Sequence, residues 1–342
     1  MKRPHGYSLL GVLCSIGIIL SSSGPVLATD DGPRAYWKGR DGTQMFAFSY
    51  LRWDINAADS QQFDPAHYIY PNADIEASVF IGMWGHHFTL FNRPSVFSVV
   101  LAGGNVDVEV DTTVVPPVLP GIPAGGSSFS QSASGYADPS GSLTINLVGT
   151  PPLKSNVDLL NYEPTWTLDA SVMLAAPIGE YDGDKVVNLG LNRWWGRIAF
   201  PMKYHFGVFS RGYMSSFEFT PSVWLFGEND DFVGQSLKND PLWQLEAHLT
   251  HDFTRSFYGS LDALYRSGFQ SEIDGMEVGD DVDVGNVGFT FNYQVSDSLA
   301  LRTSYLANVF GDDNLDNSIL KMMFAYGWNR PTENARKLAE GH

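Results

Sequence analysis

From residue 242 to 250 the chain reads LWQLEAHLT, with Leu242, Trp243, Leu245, Ala247 and Leu249 apolar and Gln244, Glu246, His248 and Thr250 set between them. A period of two puts alternate side chains on opposite faces of an extended strand, so this segment has one oily and one wet side. Similar stretches recur near 44–54, 75–90, 96–109, 140–149, 164–178, 193–205, 213–226, 257–267, 286–295, 298–308 and 318–328. About twelve strands with no helix-length apolar span among them predict an all-β chain, a transmembrane antiparallel β-barrel whose oily face meets lipid.

The connections sort by parity. One set is compact, with Asn92-Arg93-Pro94-Ser95, Thr254-Arg255-Ser256 and Ser296-Asp297-Ser298, and somewhat longer segments at 150–163 and 206–212. The other set, at 55–73, 110–135, 180–192, 227–241, 268–285 and 309–317, is long and rich in Gly, Pro, Asn and Asp. Short periplasmic turns on one rim and long extracellular loops on the other is the outer-membrane arrangement, and a soluble sandwich has no reason to adopt it. The 110–135 loop carries Pro116, Pro117, Pro120 and Pro123 and is expected to leave the ladder and cover or enter the mouth.

Residues 1–28 are read as a signal peptide: Lys2 and Arg3 precede an apolar run from Leu9 to Leu20, and Val26-Leu27-Ala28 suits cleavage before Thr29. That run is too short to span comfortably, which disfavours a retained anchor. Cys14 lies inside it behind Leu13, where a lipoprotein site wants a small residue. The expected organisation is then an N-terminal periplasmic or plug segment at 29–43, a barrel over 44–328 and a polar tail at 329–342. Export to the outer membrane of a Gram-negative cell follows.

Composition adds two constraints. The 22 Phe, 15 Tyr and 9 Trp suit the aromatic girdles of a barrel. The net charge of −17, which becomes more acidic once Lys2 and Arg3 are removed, excludes a nucleic-acid partner.

If the apolar set faces lipid, the lumen is read off by parity. It collects the carboxylates Glu76, Asp169, Glu218, Glu246 and Asp262, the bases Arg197, Arg266, Arg302 and Lys321, and His248. Opposed charges across a constriction orient polar or aromatic solutes; alternatively they pair and fill a narrow barrel. The 44–54 stretch resists this reading, because Met45 and Ala47 are as apolar as Phe46, Phe48 and Tyr50.

Catalysis finds no support. A serine nucleophile next to a histidine on one strand face needs His-x-Ser, and the nearest strings are His87-Phe88-Thr89 and His248-Leu249-Thr250. Adjacent His86 and His87 point to opposite faces, which disfavours a shared metal. Acidic groups at Glu180, Asp182 and Asp184, at Glu228, Asp230 and Asp231, at Asp280, Asp281 and Asp283, and at Asp312, Asp313 and Asp316 lack a calcium-loop pattern. They are read as solvated charge bridged by divalent ions to lipopolysaccharide. No enzyme activity, cofactor or specific metal is expected.

The strings GPRAYW at 32–37, ADIEASVF at 73–80, FSVVLAGG at 97–104, APIGEYDGDKVVNLGLNRW at 176–194 and ENDDFVGQSLKNDPLWQLEAHLTHDF at 228–253 resemble the family called putative MetA-pathway of phenol degradation. The resemblance runs from about Gly32 to Trp328. It implies an outer-membrane transporter or channel for phenolic and other aromatic compounds. Such barrels commonly end on an aromatic residue, whereas here Tyr326 and Trp328 are followed by the polar tail. Tyr181, Asp182, Asn188, Asn192, Arg193 and Trp194 form either a vestibule that captures an aromatic solute by stacking and hydrogen bonding or a clamp holding a long loop to the rim. The expectation is a passive channel for small hydrophobic or aromatic solutes, with outer-membrane lipid, lipopolysaccharide and the barrel assembly machinery as partners. A lipid-modifying enzyme and a plugged structural or adhesive barrel are the alternatives.

Overall fold

The computed structural model describes residues 30–58, 69–114, 125–163, 165–208, 213–278, 281–311 and 315–329. The segment read as a signal peptide, the prolines of 115–124, Asp280, Asp312, Asp313 and the tail beyond Asn329 lie outside the described residues.

Twelve wall positions close into one antiparallel barrel. They are β1 (Thr43–Ala58), β2 (Ile69–Leu90), β3 (Arg93–Val114), the broken pair β4 (Gly125–Tyr136) and β5 (Ser140–Val148), β6 (Trp166–Ala175), and the broken pair β7 (Trp195–Ala199) and β8 (Met202–Val208). Next come β9 (Tyr213–Phe226), β12 (Leu242–Asp252), β13 (Phe257–Gly268), β16 (Val282–Ser296), β17 (Leu299–Gly311) and β18 (Leu315–Asn329). Strand β18 pairs back with β1 from Thr43↔Asn329 to Ala57↔Leu315, so the wall has no free edge. Closure lets the backbone groups of the described ladder pair within the protein, as lipid requires. Outside the wall, β10 (Asn229–Phe232), β11 (Gln235–Asn239), β14 (Ser271–Ile273) and β15 (Met276–Val278) join two mouth loops in a small four-stranded sheet. A one-and-a-half-turn helix, α1 (Asn156–Asn161), sits in a periplasmic connection, its start capped by reciprocal Ser155 and Asp158 bonds.

Local chemistry explains the breaks. The β2–β3 turn is the two residues Phe91-Asn92, both at positive φ (48° and 60°), which matches the twist of a tight hairpin. The interruption at Phe200-Pro201 lies opposite Pro221 of β9, between Ala199↔Ser222 and Met202↔Phe219. With no N–H on either proline the ladder cannot run through, and Phe200 N instead donates to Pro221 O at 3.0 Å.

Two expectations need correction. The 110–135 segment does continue the ladder at both ends, since β3 runs to Val114 and β4 pairs with it from Gly103↔Tyr136 to Val114↔Gly125. Serine and glycine pair their backbones as well as any residue, and the prolines that would forbid it are confined to 115–124. Leu242, grouped by sequence with the lipid-facing residues, shares the inward parity of Gln244 and is buried.

The outer face is apolar where the bilayer lies, with Phe48, Phe80, Leu101, Phe217, Leu249 and Leu261 exposed. Toward the mouth the polarity inverts. Strands β2 and β3 are 22 residues each, about twice the roughly 9 to 11 needed to cross. Their extension forms a collar whose outer positions are Arg52, Asp54, Glu76, Asp107 and Glu109, and whose inner positions are Leu51, Trp53, Ile55, Ile75, Val79, Val106 and Val108. This explains why 44–54 resists a single parity reading: Phe46 and Phe48 face lipid, while Leu51 and Trp53 face inward above the membrane. Placing arginine at Leu261, on the lipid face, is expected to cost about 2–4 kcal/mol, whereas Asp107→Lys on the collar costs near zero. Urea titration of heat-modifiable folding in vesicles checks both; equal effects would contradict the inversion.

Candidate functional site

Below the collar the inward rows turn polar: on β17 Leu306 stands above Ser304 and Arg302, and on β12 Leu242 stands above Gln244, Glu246, His248 and Thr250. Burying these groups demands partners, because an unpaired charge in a dry interior costs several kcal/mol. Asp169 accepts from Asn146 Nδ2 and Lys203 Nζ, both at 2.9 Å. His248 Nδ1 lies 2.7 Å from Asp262, which also accepts from Ser260 and Thr290 hydroxyls at 2.6 Å. Arg266 Nε donates to Gln244 at 3.0 Å, and Arg302 Nη2 to the Tyr258 hydroxyl at 2.8 Å.

The remaining partners come from residues 30–42, which cross the lumen. Arg197 bridges Asp31 (2.8 Å) and Glu246 (2.9 Å), and Lys321 holds Asp30 at 3.1 Å. Glu218 accepts from Arg34 N at 2.8 Å and Trp37 Nε1 at 3.0 Å. The Arg34 guanidinium pairs with Asp252 at 2.8 Å and lies 3.9 Å from the Tyr258 ring centre. Lys38 lies 3.3 Å from Asp169, and Gly39 N donates to His87 Nδ1 at 3.1 Å. The segment is thus fixed to β2, β6, β7, β9, β12, β13 and β18.

Nine of the ten residues read as lumen-facing project inward; Glu76 does not. It shares the outer parity of Phe80, is 63% exposed, and pairs with Arg52 at 3.0 Å on the collar. Sequence parity placed it inside because the surrounding Ile75, Ala77 and Val79 were taken as lipid-facing, and above the bilayer that assignment reverses. Lys203 was overlooked although it shares the odd-numbered parity of Arg197 across the Pro201 break. Asp30, Asp31 and Arg34 carried no strand signal at all.

At the mouth, the loop 176–194 folds inward. Val187 and Leu189 insert among Leu51, Trp53, Val79 and Val108, while Leu191 joins Trp195, Trp224, Leu242 and Phe269. Asp138, at the break between β4 and β5, anchors this fold: its carboxylate accepts from Gly179 N (2.8 Å), Leu191 N (2.9 Å) and Trp195 Nε1 (3.3 Å). The Asn188 side chain accepts from Asp182 N and donates to Asp182 O and Lys185 O, closing a tight turn. The Tyr181 hydroxyl donates to Asp231 O at 2.9 Å and accepts from Asn229, whose side-chain oxygen takes a bond from Asn192. Arg193 is buried over the Phe226 ring, and Trp194 is exposed. Sequence reasoning missed Asp138, which carries no charged neighbour or motif to mark it.

The family model described as putative MetA-pathway of phenol degradation matches residues 58–313. None of the curated proteins matches the chain in sequence. Among solved structures, an outer-membrane channel from Pseudomonas putida F1 superposes with a TM-score of 0.65 at 16% identity, covering 87% of this chain and 100% of that one. The transport unit of the autotransporter AIDA-I from Escherichia coli gives a TM-score of 0.49 at 10% identity, covering 95% and 99%. A FadL homologue from Pseudomonas aeruginosa gives 0.34 at 10% identity, covering 91% and 98%. At 16% identity the likeness to the first of these concerns the fold, an outer-membrane β-barrel.

Proposed function

Because the chain belongs to the putative MetA-pathway of phenol degradation family, we propose that it is an outer-membrane channel giving small hydrophobic or aromatic compounds a passive route across the membrane. The observation that carries this reading is the apolar inner face of the mouth. A pore for hydrophilic solutes gains nothing from lining its vestibule with Leu51, Trp53, Val79, Val108, Leu242 and Phe269. An apolar solute leaves water in this chamber where the loop 176–194, whose Val187, Leu189 and Leu191 fill it, makes way. Its resemblance to a channel from Pseudomonas putida F1 and the family description agree with such a role.

In this reading the barrel is closed at two levels. Residues 30–42 form a plug latched to the charged lumen, and the loop 176–194 occupies the apolar chamber. The contacts of Tyr181, Asp182, Asn188 and Asn192 favour holding that loop over contacting a solute. Residues 1–28 act as a cleaved signal, the barrel assembly machinery inserts the chain, and the acidic loops meet lipopolysaccharide through divalent cations.

Uptake of labelled phenol, toluene and a fatty acid by cells with and without the gene tests the proposal. Faster entry of the aromatics with the gene is expected. Unchanged uptake, together with no permeation in vesicles holding the purified barrel, would leave a plugged structural barrel in its place.

A further inference from the structure

Among the described residues, each buried base of the lumen has a side-chain partner close by, and Arg193 at the mouth does not. Arg197 lies between two carboxylates, Lys203 and Lys38 share Asp169, Lys321 holds Asp30, and Arg266 and Arg302 bond Gln244 and Tyr258. Arg193 is only 2% exposed, yet its one hydrogen bond is a long 3.4 Å contact from Nη1 to the backbone oxygen of Gly227. Its Nε and Nη2 have no partner. Two groups that act on it electrostatically are already committed: Asp138 serves Gly179, Leu191 and Trp195, and the Tyr181 hydroxyl serves Asp231 and Asn229. Burial pulls its pKa down to about 10, so the guanidinium stays charged at neutral pH.

The surroundings are aromatic. The guanidinium carbon lies 5.1 Å from the centre of the Phe226 ring, whose own centre is 4.9 Å from that of Phe269 in an edge-on pair. Phe269 belongs to the apolar cluster with Trp195 and Trp224, and Phe226 packs against it. Two free, forked N–H donors on a fixed positive charge match the two oxygens of a carboxylate. An apolar body attached to that carboxylate has the aromatic cluster to rest on.

We propose that Arg193 is the headgroup site of this vestibule, and that the solutes it selects are aromatic or other apolar compounds bearing a carboxylate. The proposal rests on the channel reading and adds the chemical class of its cargo. Binding exchanges the solute's hydration for two charge-assisted hydrogen bonds. The ring takes its place beside Phe226 and Phe269 as Leu191 withdraws from that cluster while Arg193 stays.

Titrating the purified full-length barrel in lipid nanodiscs with benzoate, and separately with its neutral counterpart benzamide, tests this through quenching of tryptophan fluorescence. Benzoate is expected to bind about tenfold more tightly, the worth of one charge-assisted bond. Arg193→Gln, with folding checked by heat-modifiable migration, should abolish the preference by weakening benzoate about tenfold while changing benzamide less than about twofold. Phe269→Leu should weaken both ligands and keep the preference. Equal binding of the two ligands by the wild type overturns the proposal without recourse to any variant, as does benzoate binding that survives Arg193→Gln. Vesicle permeation separates the two readings. Passage of phenol without benzoate preference sinks the headgroup site alone, whereas preference without any permeation sinks the channel.

Discussion

Deleting residues 30–41 while keeping the wall is expected to raise single-channel conductance in planar bilayers by on the order of tenfold, since a narrow barrel conducts only when its interior is not filled. The physical reason is the way the segment is held. Asp30, Asp31, Arg34, Trp37 and Lys38 each reach a different part of the wall through a charged or aromatic partner. Once the segment is gone, water replaces it against Glu218, Arg197 and Lys321, so those charges are solvated and the wall stays folded. A single change probes the same latch. Arg197→Met leaves Asp31 and Glu246 facing each other without their shared cation, and breaking a buried pair from one side costs roughly 3–5 kcal/mol. That exceeds what one plug contact supplies, so frequent opening is expected at normal barrel stability. Conductance indistinguishable from the intact protein in both variants, measured also with the mouth loop released by Asp138→Ala, would rule out the segment as the stopper.

Asp138→Ala is expected to release the loop 176–194. Three donors, two of them backbone N–H groups, lose their acceptor, and each buried unsatisfied group costs about 1–3 kcal/mol. The loop has its own reasons to stay, with Val187, Leu189 and Leu191 buried, but three orphaned donors outweigh the burial of three aliphatic side chains at about 1.5–3 kcal/mol each once loop entropy is counted. Limited proteolysis of intact cells should cut the variant within 180–192 and spare the parent. Uptake of neutral aromatics should rise where the vestibule is emptied. Asp138→Asn, which keeps one oxygen acceptor, should fall between the two. A protected loop in the alanine variant would show that apolar insertion alone holds it.

These two expectations concern parts of the molecule that differ in how they could be found. The loop 176–194 was marked by its residues, yet Asp138, which anchors it, lies in an unremarkable Ala137-Asp138-Pro139 and acquires its role only where the broken strand bends. The plug was marked by its position and by the string GPRAYW at 32–37, and by no period. Its charges Asp30, Asp31, Arg34 and Lys38 have no period, because a segment crossing a lumen meets a different wall strand at each residue.

What the chain's alternation determined by itself was the wall. A period of two forces one face apolar and one polar, and lipid forces the apolar face outward, so Phe217, Leu249 and Leu261 were readable as outer and Glu218, Glu246 and Asp262 as inner. The alternation of short and long connections determined the two rims. Only the tertiary structure decided where that rule stops. Above the bilayer the solvents trade places, with water outside and packed loop inside, so Glu76 faces out and Leu51 faces in, the reverse of what an apolar-outward rule assigns to a carboxylate and a leucine. Closure of the sheet then gathers residues from every strand into one interior, and which of them find a partner, as Arg197 does and Arg193 does not, is a property of that enclosure and of no single strand.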